Sequence, residues 1–367
     1  MKTRNKILGG VAAVLLVGIA ALMMGLSHDS TCPTAPESTD ADSMHAIMHR
    51  CYGPPSLLTL ERIAKPRPAD DEVLIKIHAA SVNPYEMHMA TGKPYVMRLS
   101  TGFGAPERVR LGHDFAGTIE SVGAKVTRFK PGDDVFGFVG AALAEYAVSK
   151  ETGDIVLKPA ELPFEDAAAL GIAGGTALNA VRDYGRIKAG QKVLINGASG
   201  GVGTYAVQLA KNYGAEVTAV CSTRNVELVR SLGADHVIDY TRQNFTEASE
   251  QYDVIIDNVG NQDFLDLRRV VKPKGIIVTV SGPKDNPWFG PMTRVMKQKM
   301  LAPFVSQELV FFIADAGATD LEYLAGLIRD GKMKSVIDRR YPLAQTAAAL
   351  EYVGTGHARG KVIVTVD

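Results

Sequence analysis

Cysteine is scarce in this sequence, and its scarcity excludes two kinds of fold. The 367 residues include three cysteines, Cys32, Cys51 and Cys221. Three thiols cannot form the framework of several disulfides that supports a small secreted domain, nor a four-cysteine zinc site. Cys32 and Cys51 can pair if that end of the chain lies outside the cytosol, although nothing in the sequence requires the pair.

The chain also lacks net charge, because forty basic residues balance forty acidic ones. A nucleic-acid-binding surface needs an excess of basic residues, so no nucleic-acid partner is indicated. Histidine-rich tracts, low-complexity tracts and short repeats are absent as well. The length, the apolar content of 46 % and the 36 glycines are typical of an α/β protein with two domains.

One long run at the N-terminus has no charged residue. Ile7 to Leu26 is uncharged and follows Lys2, Arg4 and Lys6. Twenty helical residues extend about 30 Å, the thickness of a bilayer core, so we expect a transmembrane helix that anchors the protein in a membrane, with a cleaved signal peptide as the alternative. The basic residues before the run favour an N-terminus inside the cytosol and a protein body outside it, but the side of the membrane stays open. Residues 27–43 are predicted to be a solvated tether.

The residues from Lys192 to Lys211, KVLINGASGGVGTYAVQLAK, predict a strand, a tight turn and a helix. A second apolar run, Glu216 to Val220, completes a βαβ unit. Such a turn lets backbone N–H groups at a helix N-terminus approach a pyrophosphate, although Ala198 replaces the first glycine of the usual fingerprint and glycine-rich turns without a ligand are common. The predicted pyrophosphate-binding residues are Ser199, Gly200, Gly201, Val202 and Gly203.

The end of the second strand indicates which cofactor the turn binds. A site for NAD usually has an acidic residue there, which holds the ribose hydroxyls. This chain instead has Ser222, Thr223 and Arg224, which can bind a 2′-phosphate through charge-assisted hydrogen bonds. We therefore expect NADPH rather than NADH, with a solvated role for Arg224 as the alternative.

Short β segments precede this unit. Glu72 to Ala79 alternates apolar and polar residues, as a half-buried strand does. The residues Ser81 to Glu86 are predicted to form a loop because of the Asn-Pro pair. Leu111 to Phe138 is divided by glycines into short strands, which indicates a compact β domain.

The sequences SVNP, LGHDFAGTIESVG, RFKPGDDVFGF and GASGGVGTYAVQLAK resemble, in this order, the medium-chain dehydrogenase/reductase superfamily in its zinc-free quinone oxidoreductase branch, and within it the reticulon-4-interacting NADPH oxidoreductase group. The resemblance covers Met44 to Asp367. It implies an α/β fold with a GroES-like β domain at residues 44–165, a Rossmann domain with a doubly wound parallel sheet at residues 166–320, and a return to the first domain at residues 321–367.

Zinc-dependent relatives hold their metal at three positions, which here carry Asn83, His113 and Ile172. One histidine without thiolates cannot hold Zn²⁺, so no metal site is expected. We interpret His113 as a structural residue in preference to a ligand or an acid.

The resemblance also implies further site residues. Asn83, Tyr85 and Thr176 correspond to residues near nicotinamide and substrate. Tyr85 can donate a proton, although water serves as well, and Asn83 and Thr176 can instead be a loop residue and a helix N-cap. Asn258 is expected at the carboxyl edge of the sheet, where ligands bind. Positions that the resemblance places near the adenosine phosphates are Tyr240, His357, Ala358 and Arg359.

These residues predict an NADPH-dependent, zinc-independent oxidoreductase that transfers hydride to a quinone, an enone or a related carbonyl. Two alternatives remain: a membrane-tethered NADPH-binding scaffold or sensor with little turnover, and an alcohol dehydrogenase. Residues 287–312 can form a substrate-facing wall, plain core or the edge strand of a possible homodimer.

Overall fold

Two large β-sheets, with helices between and around them, form the body of the protein. The computed structural model describes residues 17–34, 38–282 and 286–366. The strands are β1 (Ser43–Met48), β2 (Thr59–Ala64), β3 (Glu72–Val82), β4 (Asp114–Val122), β5 (Asp134–Phe138), β6 (Tyr146–Lys150), β7 (Ile155–Leu157), β8 (Lys192–Asn196), β9 (Glu216–Cys221), β10 (His236–Asp239), β11 (Tyr252–Asp257), β12 (Val271–Thr279), β13 (Glu308–Phe311), β14 (Ile337–Pro342) and β15 (Lys361–Thr365).

The helices include the π-helical segment Asn179–Tyr184 and several short 3₁₀ turns. The α-helices are α1 (residues 17–27), α2 (Pro84–Thr91), α3 (Arg98–Thr101), α4 (Phe164–Leu178), α5 (Gly201–Asn212), α6 (Val226–Ser231), α7 (Phe264–Leu267), α8 (Met292–Leu301), α9 (Ala318–Arg329) and α10 (Thr346–Gly354).

The second large sheet is parallel and has the order β10-β9-β8-β11-β12-β13. Numbered within the sheet, this is the 3-2-1-4-5-6 order of a Rossmann domain, in which ligands bind where the order reverses, between β8 and β11. Strands β8 and β11 are continuous apolar runs because both faces of a parallel sheet are buried. The predicted Rossmann sheet is confirmed.

The first large sheet, mostly antiparallel, has the order β14-β15-β3-β4-β5-β7, with β6 paired to β3. The C-terminal strand β15 pairs antiparallel with β3, where Val364 lies opposite Ala80. The last residues of the chain therefore complete the sheet that its first long strand began. This sheet corresponds to the expected GroES-like domain.

Helix α4 joins the two sheets. It packs against β3, β4 and β5 on one side and against α5 and α9 on the other. Its buried residue Leu170 belongs to the same apolar cluster as Phe136 of the first sheet and Ile195 of the second. One apolar core thus extends from the first sheet to the second, and the packing of α4 fixes how the two sheets are placed.

The predicted membrane anchor is wrong. Residues 1–16 lie outside the described residues, so only the second part of the run Ile7 to Leu26 can be followed, in α1. Across the ranges that the structure describes, no helix is both long enough and apolar enough to cross a bilayer. Hydropathy alone suggested the anchor, but the end of the run packs on protein: Leu26 is buried, and its carbonyl oxygen accepts a hydrogen bond of 2.9 Å from Arg98.

The segment after α1, expected to be a solvated tether, is held against the first domain. The Arg98 guanidinium is 1 % exposed and pairs with Asp29 at 2.7 Å. The Ser30 N–H donates to the Gly104 carbonyl oxygen at 2.9 Å. Cys32 and Cys51 form a disulfide. Residues 28–34 are therefore a docked strap, since one buried arginine and one covalent bond fix them.

The predicted loop at Ser81 to Glu86 is also wrong, because Ser81 and Val82 belong to the end of β3 and α2 begins at Pro84. Asn83 is the N-cap of α2, and Glu86 completes a capping box with it. Proline at the first helical position favours this start, since its fixed φ suits a helix and its missing N–H is not needed there.

Candidate active site

The glycine turn between β8 and α5 has the shape that a phosphate needs. A Cβ on Gly203 would lie 2.7 Å from the Ala198 Cα, which leaves no room for any side chain. A Cβ on Gly200 would meet nothing nearer than the Gly197 carbonyl oxygen at 3.5 Å. Gly203 is thus needed for the turn itself, and Gly200 leaves one side open for a ligand at the N-terminus of α5.

The C-terminal strand supports this turn. The Gly360 N–H donates to the Ser199 carbonyl oxygen at 2.9 Å, and Gly200 and Gly360 form a parallel bridge. A Cβ on Gly201 would lie 3.3 Å from the Lys361 side chain. The predicted phosphate-binding turn and the predicted C-terminal tail, far apart in sequence, are therefore neighbours.

Arg224 contacts the C-terminal tail, residues 357–360. The Arg224 guanidinium donates to the His357 carbonyl oxygen at 2.7 Å. Arg359 lies two residues further on, and its Nε is buried without a hydrogen-bond partner among the described residues. Its neighbour Ala358 is half-buried. Arg224 thus contacts the tail directly, and the tail also carries Arg359 with an unused donor.

Asn225, which the sequence reading missed, links the turn to the end of β9. Its Nδ2 donates to the Ser199 hydroxyl at 2.9 Å and to the Ser222 hydroxyl at 3.2 Å. This places the two predicted serines side by side. No sequence signal separates Asn225 from an ordinary residue after the Ser-Thr-Arg segment.

Thr223 is placed differently from its prediction. Its hydroxyl donates to the Asp239 carboxylate at 2.6 Å, and Thr241 lies 2.9 Å from the same hydroxyl. The Thr223 hydrogen bond lowers the pKa of Asp239. Tyr240 is 53 % exposed beside this carboxylate. Asp239 ends the strand His236–Asp239 at the ligand-binding edge, a signal that the sequence reading passed over.

Asn258 lies at the sheet edge that was predicted for it. Its Nδ2 donates to the Asn196 carbonyl oxygen at 3.0 Å, while its Oδ1 is buried without a partner among the described residues. Beneath it, the buried Asp257 pairs with Arg294 of α8 at 2.6 Å. The unused Asn258 oxygen is an acceptor that a bound ligand can satisfy.

A buried polar cluster lies between the turn and α2. The Asp114 carboxylate accepts hydrogen bonds from the Ser81 hydroxyl at 2.8 Å and from Asn83 Nδ2 at 3.0 Å. Lys361 Nζ donates to Asn83 Oδ1 and lies 3.5 Å from Asp114. Both polar atoms of the Asn83 amide are therefore engaged within the protein, and this side chain does not line the cleft.

Glu86 completes the cluster. Its Oε2 accepts the Asn83 N–H at 2.8 Å, and its Oε1 is buried without a partner in the described chain. Burial, and secondly the nearby Asp114 charge, raise the pKa of Glu86 to about 8. Burial lowers the pKa of Lys361. Glu86 therefore carries a proton at neutral pH.

A cleft of about 290 Å³ opens between the two domains. Ile172, which belongs to its wall, donates its N–H to the Asp114 carboxylate at 2.9 Å. Thr176 lies one helical turn beyond Ile172 and is almost buried inside α4, so it is not an N-cap. The cleft is lined by His113, Phe138, Val139, Gly140, Asp154, Ile172, Ala314, Asp315 and Ala316.

Rings surround His113. Its ring centroid is 5.1 Å from that of Phe138 and 5.7 Å from that of Tyr85. Tyr85 is 41 % exposed and is not among the residues that line the cleft. Within residues 17–34, 38–282 and 286–366, no group of three or more His, Cys, Asp or Glu residues could hold a metal ion.

Two family models match the chain. One describes the alcohol dehydrogenase GroES-like domain and matches residues 69–177. The other describes a zinc-binding dehydrogenase and matches residues 232–364. The ranges correspond to the first domain and to the later part of the chain.

Three known proteins are similar over nearly their full length. The chloroplastic quinone-oxidoreductase homolog of Spinacia oleracea is 33 % identical, over 88 % of this chain and 99 % of that protein. The mitochondrial NAD(P)H oxidoreductase RTN4IP1 of Bos taurus is 34 % identical, over 81 % of this chain and 82 % of that protein. The structure of the quinone oxidoreductase from Coxiella burnetii superimposes with a TM-score of 0.77 at 32 % identity, over 89 % of this chain and 100 % of that one. The chain therefore belongs to the medium-chain dehydrogenase/reductase superfamily, a family of NAD(P)H-dependent oxidoreductases, in its zinc-free quinone oxidoreductase branch.

Proposed function

We propose that this protein transfers hydride from NADPH to a quinone, an enone or a related carbonyl without a metal ion. One observation carries the proposal: the phosphate-binding turn and the cleft are fastened together. Gly200 bridges to Gly360, the adjacent Lys361 pairs with Asp114, and Asp114 binds the N–H of Ile172 in the cleft wall. A nucleotide held by the turn can thus be positioned against an acceptor in the cleft.

The residues at the turn fit a nicotinamide dinucleotide. Gly200 leaves open the space that a Cβ would fill, and the Asn258 Oδ1 and Arg359 Nε have no partner among the described residues. The bound dinucleotide supplies the hydride; the chain supplies binding, orientation and a site that excludes water. Arg224 and Arg359 offer two cations to a 2′-phosphate, which supports NADPH.

The predicted substrate-side residues have different proposed roles. Asn83 positions α2 through the buried cluster and does not touch the acceptor. Thr176 lies on the same face of α4 as Ile172 and can offer a hydroxyl to the carboxamide end of the cofactor. Tyr85 supports the ring of His113 through a tilted ring contact at 5.7 Å.

The cleft supports an uncharged acceptor. Asp154 and Asp315 belong to its lining, together with apolar and glycine residues. Carboxylates in a narrow cleft repel an anionic substrate, since charges interact strongly where little water screens them. Quinones and enones are neutral, and the printed names of the spinach and Coxiella relatives refer to quinones.

An acceptor screen tests the proposal. We expect NADPH to be oxidised with members of a panel of quinones and enones, and simple alcohols not to reduce NADP⁺. Oxidation of alcohols without reduction of any quinone or enone would identify an alcohol dehydrogenase. Tight NADPH binding with no turnover for any acceptor would show that the protein binds the nucleotide without using it.

A further inference from the structure

His113 is the one imidazole in the lining of the cleft. Phe138 and Tyr85 contact its ring and fix the plane of the imidazole. Within the described part of the chain its ring nitrogens make no hydrogen bond, and they are not sealed away from solvent. The structure therefore holds an oriented imidazole whose N–H is free to meet a ligand.

Two other side chains near the cleft, those of Tyr85 and Asp154, are less well placed to donate a proton to a ligand. Tyr85 is not among the residues that line the cleft, and burial raises the pKa of its phenol. The Asp154 Oδ1 already accepts the Ala318 N–H at 3.2 Å. The two acidic side chains of the lining, Asp154 and Asp315, place negative charge in the same cleft and disfavour an anion there.

We propose that His113 is a catalytic residue that donates the proton to the acceptor oxygen, an inference that rests on the proposed reductase function. Hydride arriving at the acceptor from the nicotinamide adds two electrons, and negative charge develops on the acceptor oxygen. The N–H bond of the protonated imidazole breaks while an O–H bond forms. The acceptor is reduced by two electrons, the cofactor is oxidised, and the neutral imidazole takes its next proton from water.

Kinetics and nucleotide binding give the first test. We expect His113→Gln to lower kcat roughly 100-fold or more, in the range of a lost general acid. The Kd for NADPH, measured by fluorescence, should change less than twofold. His236→Gln makes the same chemical change at an exposed site paired with Glu216, and should keep wild-type kcat. Tyr85→Phe, which removes only the phenol oxygen, should lower kcat less than His113→Gln does. A larger loss of kcat in Tyr85→Phe would overturn the proposal.

A second test does not depend on turnover. 4-Nitrophenol is a neutral phenol whose anion resembles the developing oxyanion, and its absorbance reports which form is bound. Asp154 and Asp315 repel the anion equally in both proteins, so the imidazole is the difference that is measured: we expect the wild type to bind the anion at least tenfold more tightly than His113→Gln does. Equal affinities, or no binding to the wild type, would overturn the role of His113.

The two tests separate this inference from the proposed function. Failure of every acceptor with the wild type contradicts the reductase, whereas the nitrophenol comparison still decides whether His113 stabilises an oxyanion. Circular dichroism establishes that each variant is folded. If His113→Gln does not fold, His113→Ala with added imidazole replaces it: recovery of kcat supports the donor, and no recovery by a folded variant contradicts it.

Discussion

Glu86 and Lys361 are ionisable side chains with almost no access to solvent. They are tolerated because Asp114 pairs with Lys361 and because Glu86 keeps its proton. A fully charged cluster would carry one excess negative charge without water to screen it. A protonated Glu86 leaves one carboxylate and one ammonium, which balance.

The pKa of Glu86 predicts how stability depends on pH. Its folded pKa is about 8, above the ordinary value of 4.5. Between these values the folded state holds a proton that the unfolded state lacks, so this group reduces the free energy of unfolding as pH rises, by up to about 1.4 kcal/mol per pH unit. We expect Glu86→Gln to become progressively more stable than the wild type from pH 5 to pH 8 in urea unfolding, while Glu322→Gln, at an exposed site on α9, should not. A constant difference between Glu86→Gln and the wild type would contradict the raised pKa.

Arg224 tests the choice of cofactor. Arg224→Ala removes one proposed charge-assisted partner of the 2′-phosphate, worth about 1.5–3 kcal/mol, so the Kd for NADPH should rise roughly ten- to a hundredfold. The Kd for NADH should change less than threefold. Arg230→Ala removes the same charge from an exposed position on α6, where Arg230 pairs with Glu227 at 2.8 Å, and controls for general electrostatics. Equal losses for both nucleotides in Arg224→Ala would refute the assignment.

Single residues were predictable where a motif fixes their neighbours. The resemblance places Arg224 and the tail residues His357 to Arg359 near the same phosphates, and in the structure the Arg224 guanidinium donates to the His357 carbonyl oxygen. The burial of Asn83 was not predictable, because its partners Asp114 and Lys361 lie on β4 and β15, far away in sequence. Pairing of that kind depends on tertiary contacts that one local pattern does not report.

At the scale of elements, two glycines of the turn between β8 and α5 have different structural roles. Gly203 permits close contact between the start of α5 and the turn, whereas Gly200 keeps a face of the turn open. The first use is needed for folding and the second for binding. The two can therefore be separated by mutation.

We expect Gly203→Ala to lower the melting temperature by several degrees, because its Cβ would meet backbone atoms, Ala198 Cα at 2.7 Å among them. Gly200→Ala has an ordinary contact of 3.5 Å and a φ of −81°, so its melting temperature should stay close to that of the wild type. Its NADPH affinity should fall at least tenfold, since the methyl group would occupy the space proposed for the pyrophosphate. Calorimetric melting and NADPH titration of both variants measure this; a stable Gly203→Ala variant would contradict the geometry.

Strands were predicted more securely than the start of α2. The strands β8 and β9 are predicted by short continuous apolar runs, because a parallel sheet buries both faces of each strand. The Asn-Pro pair before α2 predicts a loop, because this pair is common in turns. The same Asn-Pro, with Glu86 three residues after Asn83, is a capping box that starts a helix.

At the scale of the whole molecule, two segments far apart in sequence, the strap and the strand β15, are both bound to the first domain. The strap at residues 28–34 is held by Arg98 and the Cys32–Cys51 disulfide, and β15 completes the first sheet. Arg98 also lies 4.8 Å from the Tyr95 ring, which meets Trp288 of the second domain at 4.9 Å. Composition and hydropathy predicted an anchor and a tether here, because neither reports a single buried arginine. The predicted homodimer stays a prediction.

The central claim is hydride transfer from NADPH without a metal ion, and its most direct test is a rate measured under metal chelation. Purified protein, dialysed against 1,10-phenanthroline, is mixed with NADPH and the best quinone or enone from the acceptor screen, and NADPH absorbance is followed. We predict the same rate with and without the chelator. A rate that falls with chelation and returns with added Zn²⁺, or no NADPH oxidation with any acceptor, would contradict the claim.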